Sequence, residues 1–214
     1  MDCGAHRKEI LKSLDYELIS IDGVLITHIH GDHAGGAEYF TDLGIPVYSC
    51  KEVADNIPGV ECIPSKSVKR VGKFRVIPFS LPHEATENYG YLIQLPNGES
   101  FMYATDYAYI PYSFKKYNID YLLLECNYTD LEDEEDPKHD HVKNGHASLE
   151  VVKNAVKVNA TKNLKRVILC HLSLDNADPA VILPTIEDVV PSGTEVDIAE
   201  RLKIFSLGKG GNVI

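Results

Sequence analysis

Four apolar runs, each closing on an imidazole or a carboxylate, constrain this chain more than any bulk property does. VLIT runs into His28, VIPFSLP into His83, FMYAT into Asp106 and RVILC into His171. Runs this continuous are strands covered on both faces rather than half-solvated ones. In layered α/β folds, functional side chains collect at the carboxyl ends of strands. If these four strands share an orientation, the four side chains converge on one rim.

The rest of the chain supplies the layers. HRKEILKSL has helical spacing at Ile10, Leu11 and Leu14. GGAEYFTDLG predicts a short helix ending at Gly44, and IPVYS the next strand. SVKRVGKFRVIPFSLPH predicts a strand pair, and YGYLIQLPNGESFMYATD a hairpin turning at Asn97 and Gly98. IDYLLLECN is a nearly continuous apolar strand. ASLEVVKNAVKVNA predicts an amphipathic helix with Ser148 as its candidate cap. PAVILPTIEDVV predicts a helix that starts near Pro179 and is interrupted or restarted at Pro184, and LKIFSL is the last strand. Helices interleave with strands, so the expected architecture is layered α/β, with two sheets and helices outside. No repeat, low-complexity tract or long linker divides the sequence, so residues 1–214 are expected to form one domain.

Composition narrows the function classes. The formal charge is -11, from 32 acidic against 21 basic residues, which argues against a broad electrostatic grip on a phosphate backbone. Bound divalent metals add local positive charge that this count omits, so a phosphate substrate stays open. No apolar run approaches the ~20 residues of a membrane span. MDCGAHRKEI has no apolar core of a secretory signal. The five cysteines, Cys3, Cys50, Cys62, Cys126 and Cys170, are scattered without a CxxC pair. They read as reduced thiols of a cytoplasmic protein rather than a disulfide framework.

LITHIHGDHAGG packs His28, His30, Asp32 and His33 into six positions directly after an apolar run. Alternation puts His28 and His30 on the same side of an extended segment. The chain then turns at Gly31 and offers Asp32 and His33 from another direction. This suits two adjacent metal ions better than one tetrahedral ion. Imidazole and carboxylate ligands favour zinc, manganese or iron over calcium.

THIHGDH resembles the HxHxDH signature of the metallo-β-lactamase superfamily, and the later motifs follow in order. LPHEATENYGY resembles the third-motif histidine, here His83. YATDY resembles the bridging aspartate motif, here Asp106, and CHLSLDN the last ligand motif, here His171. MDCG resembles the first motif, with Asp2 as its aspartate. LLLECNY and NGHASLE resemble segments of the YycJ/WalJ-like branch related to RNase Z. The resemblance implies an αββα sandwich with the site at one sheet edge. It implies two divalent ions, zinc foremost, with manganese or iron as alternatives. His28, His30 and His83 would hold one ion, Asp32, His33 and His171 the other, and Asp106 would bridge them. The family places a β-hairpin before the first-motif aspartate. Here that hairpin is expected to be missing, which would leave a sheet edge for a second copy to cover as a homo-oligomer.

Further roles follow from that resemblance. Asp32 would act as both ligand and orienter of the attacking hydroxide. His146, in NGHASLE, would be the proton donor to the leaving group; the alternative is a loop histidine beside a helix start. Asp2 would support the HxHxDH loop or a ligand imidazole, and Asn127 would line the pocket or form a turn. TDLEDEEDPKHDH, with His139 and His141, reads as a solvated acidic loop over the site rather than a second metal site. The leading expectation is a metal-dependent phosphodiesterase, a nuclease on DNA or RNA. A small, cyclic-nucleotide phosphodiesterase and a thioester or lactone hydrolase are the alternatives. The expected partner is a nucleic acid or nucleotide substrate, with no membrane.

Overall fold

The structure, a computed structural model, describes residues 1–131, 139–200, 203–207 and 212–213. The central part of the acidic loop expected over 129–141 lies outside the described residues. The chain divides into two compact units, residues 1–80 with 85–91, and residues 81–84 with 92–214.

The first unit opens with helix α1 (Arg7–Ser13). Strand β1 (Val24–Leu25) is followed by a short helix α2 (Gly31–Ala34) and by α3 (Ala37–Asp42). Strand β2 (Val47–Ser49), helix α4 (Lys51–Asn56) and strand β3 (Val60–Cys62) come next. β1, β2 and β3 form a parallel sheet, with Val24 opposite Val47 and Val47 opposite Val60. Parallel neighbours need crossovers, which α3 and α4 provide. β4 (Lys69–Val71) pairs antiparallel with β5 (Phe74–His83), as the strand-pair pattern predicts. The segment before α1 is fixed by close approach. A Cβ on Gly4 would lie 1.9 Å from the Asp32 carbonyl carbon, so only glycine lets Met1–Gly4 pack against the α2 turn.

β6 (Thr86–Gln94) leads into the second unit, and β7 (Ser100–Ala104) follows a turn closed by the Leu95 N–H donating to the Glu99 carbonyl at 2.8 Å. β8 (Tyr121–Glu125) pairs parallel with β7, and β9 (Arg166–Cys170) parallel with β8. Met102, Leu122, Leu124 and Leu169 are fully buried in these strands, as their continuous apolar runs require. Shared direction puts the carboxyl ends of β7, β8 and β9 at the same edge of the sheet. Asp106 lies just beyond β7, Glu125 closes β8, and His171 follows β9.

Helices α5 (Asp140–Gly145), α6 (Leu149–Asn159) and α7 (Pro179–Glu187) complete this unit. The Ser148 hydroxyl caps α6 by accepting from the Val151 N–H at 3.2 Å. α7 corrects the break expected at Pro184, since the helix runs through that residue unbroken. Proline keeps a helical φ and forfeits one bond, to the carbonyl of Ala180. Ala180 is exposed, so water can take that carbonyl, while Ile182 and Ile186 bury one face of the helix.

β10 (Glu195–Ile198) pairs parallel with β9 and has no strong sequence signal, because only Val196 and Ile198 are apolar. The strand expected over LKIFSL is reduced to β11 (Ser206–Leu207), paired antiparallel with β12 (Asn212–Val213). Among the described residues no helix is long and apolar enough to cross a membrane, and all five cysteines are free thiols.

Candidate metal centre

In the first unit the HxHxDH segment gathers three imidazoles. His28 Nε2 lies 2.9 Å from His30 Nδ1, and the His28 and His33 rings are 4.2 Å apart. His28 and His33 are buried, whereas His30 and Asp32 are exposed. Behind them stands Asp2. Its carboxylate accepts from the Thr27 N–H at 2.8 Å and from His33 Nδ1 at 3.0 Å. The Thr27 hydroxyl is 3.0 Å from His28 Nδ1. A carboxylate only accepts, so the His33 proton sits on Nδ1 and Nε2 is the atom able to ligate.

In the second unit Asp106, Glu125, His146 and His171 each offer an atom within 4.8 Å of the others. His83 is fixed beside them, its Nδ1–H donating to the Gly145 carbonyl at 2.8 Å. The His83 and His146 ring centroids are 5.6 Å apart, and those of His146 and His171 5.5 Å.

Glu125 is fully buried and accepts at Oε1 from His146 Nδ1 at 2.7 Å and from His171 Nδ1 at 3.2 Å. Its other oxygen accepts from the Tyr107 N–H at 3.3 Å. Burying a carboxylate is costly unless it is paired in this way. For His146, burial pulls the pKa down, but the hydrogen bond and charge of Glu125 and the charge of Asp106 outweigh it and raise the pKa. Asp106 accepts from the Thr105 hydroxyl at 2.6 Å and lies 3.3 Å from His171 Nδ1.

The donor set fits divalent metal. Ligating histidines characteristically hold one ring nitrogen on a carboxylate, carbonyl or hydroxyl and present the other to the ion. His33 on Asp2, His83 on the Gly145 carbonyl and His28 on the Thr27 hydroxyl each hold one ring nitrogen in this way. Of the eight non-glycine residues with positive φ among the described residues, four fall at or beside these clusters. Asp2, Glu84, Asp106 and His171 take φ values of 44°, 44°, 52° and 53°, a region unfavourable for non-glycine residues.

Thus His28, His30, Asp32, His33 and Asp2 lie together in the first unit, and His83, Asp106, His146 and His171 in the second. Asn127 donates from Nδ2 to the His171 carbonyl at 3.1 Å, which braces the His171 loop. Among the described residues neither His139 nor His141 enters a cluster able to hold a metal ion. Glu125 is the side chain that sequence reading overlooked. It closes YLLLE, an apolar run ending in a carboxylate as FMYAT does at Asp106, and the same rule would have found it.

The fold is that of a metallo-β-lactamase-type α/β protein, and the clusters gather side chains that could hold metal ions. A family model described as the beta-lactamase superfamily domain matches residues 2–172, and the chain belongs to that superfamily. It is 50% identical over 40 residues to the anti-Pycsar protein Apyc1 of Paenibacillus xerothermodurans. That stretch covers 19% of this chain and only 16% of the relative.

Among solved structures, the metallo-β-lactamase fold protein YhfI of Bacillus subtilis superposes with a TM-score of 0.71 at 19% identity, over 100% of this chain and 85% of YhfI. Unliganded yeast PDE1 gives 0.61 at 16% identity, over 83% and 66%. A diphosphatase of the PhnP family gives 0.60 at 20% identity, over 88% and 72%. At these identities the likeness establishes the metallo-β-lactamase fold and nothing finer.

Proposed function

We propose that the chain is a dinuclear metal-dependent phosphodiesterase acting on a nucleotide-type substrate. The observation that carries this is the set of histidines whose Nδ1 atoms are held by Asp2, Thr27 and Gly145, in a chain of the beta-lactamase superfamily. His28, His30 and His83 would hold one ion, Asp32, His33 and His171 the other, with Asp106 shared. Zinc leads, and manganese or iron would suit the same donors. The metal pair, when bound, supplies Lewis acidity and a lowered water pKa.

The chain's own residues do the rest. Asp32, exposed beside buried His33, orients the attacking water. His146 carries its transferable proton on Nε2, because Nδ1 is engaged by Glu125. That proton goes to the leaving oxygen as the ester bond breaks. Asn127 and Glu125 are positioning residues, holding the His171 carbonyl and the His146 and His171 rings.

The net charge of -11 favours a small, cyclic-type nucleotide over polymeric DNA or RNA. Yeast PDE1 and the PhnP-family diphosphatase share this fold, so it accommodates phosphate-ester chemistry, which we place ahead of thioester or lactone hydrolysis. A nuclease is the second reading, favoured by the RNase Z-like segments LLLECNY and NGHASLE.

The test is turnover by the metal-supplemented chain of bis-p-nitrophenyl phosphate, cyclic mononucleotides, fluorogenic oligonucleotides and a thioester panel, with Asp106→Ala as control. Turnover of the diester and of cyclic mononucleotides, lost in Asp106→Ala, is expected. Activity confined to thioesters would refute the phosphodiesterase reading, and activity confined to oligonucleotides would replace it with the nuclease.

A further inference from the structure

An open pocket of about 510 Å³ lies beside the second-unit cluster, with Glu84, Tyr109, Asp140, His141 and Asn144 in its wall. Its frame is tied by backbone. The Ala108 N–H donates to the Pro82 carbonyl at 2.9 Å, and the Glu84 N–H to the Asn144 carbonyl at 3.3 Å. These segments are the ones that carry the cluster. Glu84 follows His83, Ala108 lies two residues after Asp106, and Asn144 two residues before His146. A ligand seated here therefore extends from the cluster without leaving the segments that position it.

The wall chemistry specifies the ligand. Among the described residues it holds two carboxylates, one imidazole, one amide and a tyrosine that is 56% exposed, and no lysine or arginine. Carboxylates repel phosphate, so this pocket does not receive the charged end of a phosphoester. They accept strongly from N–H groups. A half-exposed aromatic ring is a platform for a flat heterocycle. Single bases are recognised by this combination of stacking with hydrogen bonds to the base edge.

We infer that this pocket binds the nucleobase of the substrate, with Tyr109 stacking on its face. The carboxylates of Glu84 and Asp140 accept from an exocyclic amino group, so adenine and cytosine are preferred to uracil. Identifying the ligand as a nucleobase rests on the nucleotide reading above. The preference for an amino-bearing ring rests on the pocket alone. The acidic wall also explains at the level of the site why a mononucleotide suits this chain better than a polyanion.

The experiment is a nuclear magnetic resonance titration of the metal-loaded full chain with adenosine, cytidine and uridine. These carry no phosphate, so binding is read without hydrolysis. Adenosine and cytidine are expected to bind at least about fivefold more tightly than uridine, and Tyr109→Ala to weaken both by at least about fivefold, the scale of one base stack. Glu84→Gln is expected to reduce the discrimination while retaining binding, since Asp140 still accepts. Both side chains lie outside the core, and unfolding midpoints matching the parent confirm intact folds. Failure of all three nucleosides to bind, or variants that bind them as the parent does, would overturn the inference. Absence of bis-p-nitrophenyl phosphate turnover with nucleoside binding intact would instead remove the phosphodiesterase reading and leave the pocket standing.

Discussion

His146, the proposed proton donor, shows how surroundings shape one side chain. Its ring stands between those of His83 and His171, yet its Nδ1 is taken by buried Glu125 at 2.7 Å. An imidazole acting as a general acid must be in its cationic form at working pH, and burial opposes that charge. Glu125 and Asp106 reverse the balance and hold the pKa above its ordinary value, with neighbouring His171 pulling the other way. Replacing His146 by Ala is expected to lower kcat by roughly 10²- to 10⁴-fold, the usual worth of a positioned acid. Metal content measured by plasma mass spectrometry should stay at the parent level. Loss of metal in this variant would make His146 a ligand instead.

The pH dependence has a definite sign. The acid form of His146 is present below its pKa, so kcat falls as pH rises through that value. Glu125→Gln removes the charge that raises the pKa, so the descending limb of the kcat profile moves to lower pH. A limb that stays in place would show that another group is the acid.

At the scale of elements, parallel pairing of β7, β8 and β9 is what brings Asp106, Glu125 and His171 to one edge. These strands were legible in the sequence because FMYAT, YLLLE and RVILC are continuously apolar, as a sheet buried on both faces demands. Asp106 and His171, which the fold brings to this edge, were legible for the same reason, each standing where an apolar run stops. What the sequence concealed depends on tertiary partners. β10 has two apolar residues and gains its pairing from β9, and α7 keeps its path through Pro184 because burial of Ile182 and Ile186 outweighs one lost bond. Glu125 closes YLLLE and is reachable by the same rule, but its role shows only in its imidazole partners, His146 and His171.

Stability should follow this division. Leu124→Ala, in the buried centre of β8, is expected to cost about 2–5 kcal/mol. Ser148→Ala, which removes the α6 cap, should cost about 1 kcal/mol. Chemical denaturation of both variants checks the order; equal losses would contradict a core centred on β7–β9.

At the scale of the whole molecule, the balance of charge separates the two substrate classes. A chain at -11 has little net attraction for a polyphosphate backbone. A nuclease gripping many phosphates loses on the order of 10³-fold in affinity as salt rises from about 50 to 200 mM. A small-nucleotide enzyme makes few such contacts, so kcat/KM on a cyclic mononucleotide should change by less than about threefold over that range. A steep loss would favour the nuclease.

The claim on which all of this depends is that the chain carries two metal ions that together make it a phosphodiesterase. The direct test is a zinc titration of the chelator-treated chain, following turnover of bis-p-nitrophenyl phosphate. Activity that rises to a plateau at two equivalents per chain is predicted. A plateau at one equivalent would contradict the dinuclear centre, and no turnover at any loading, with manganese and iron also inactive, would contradict the enzyme.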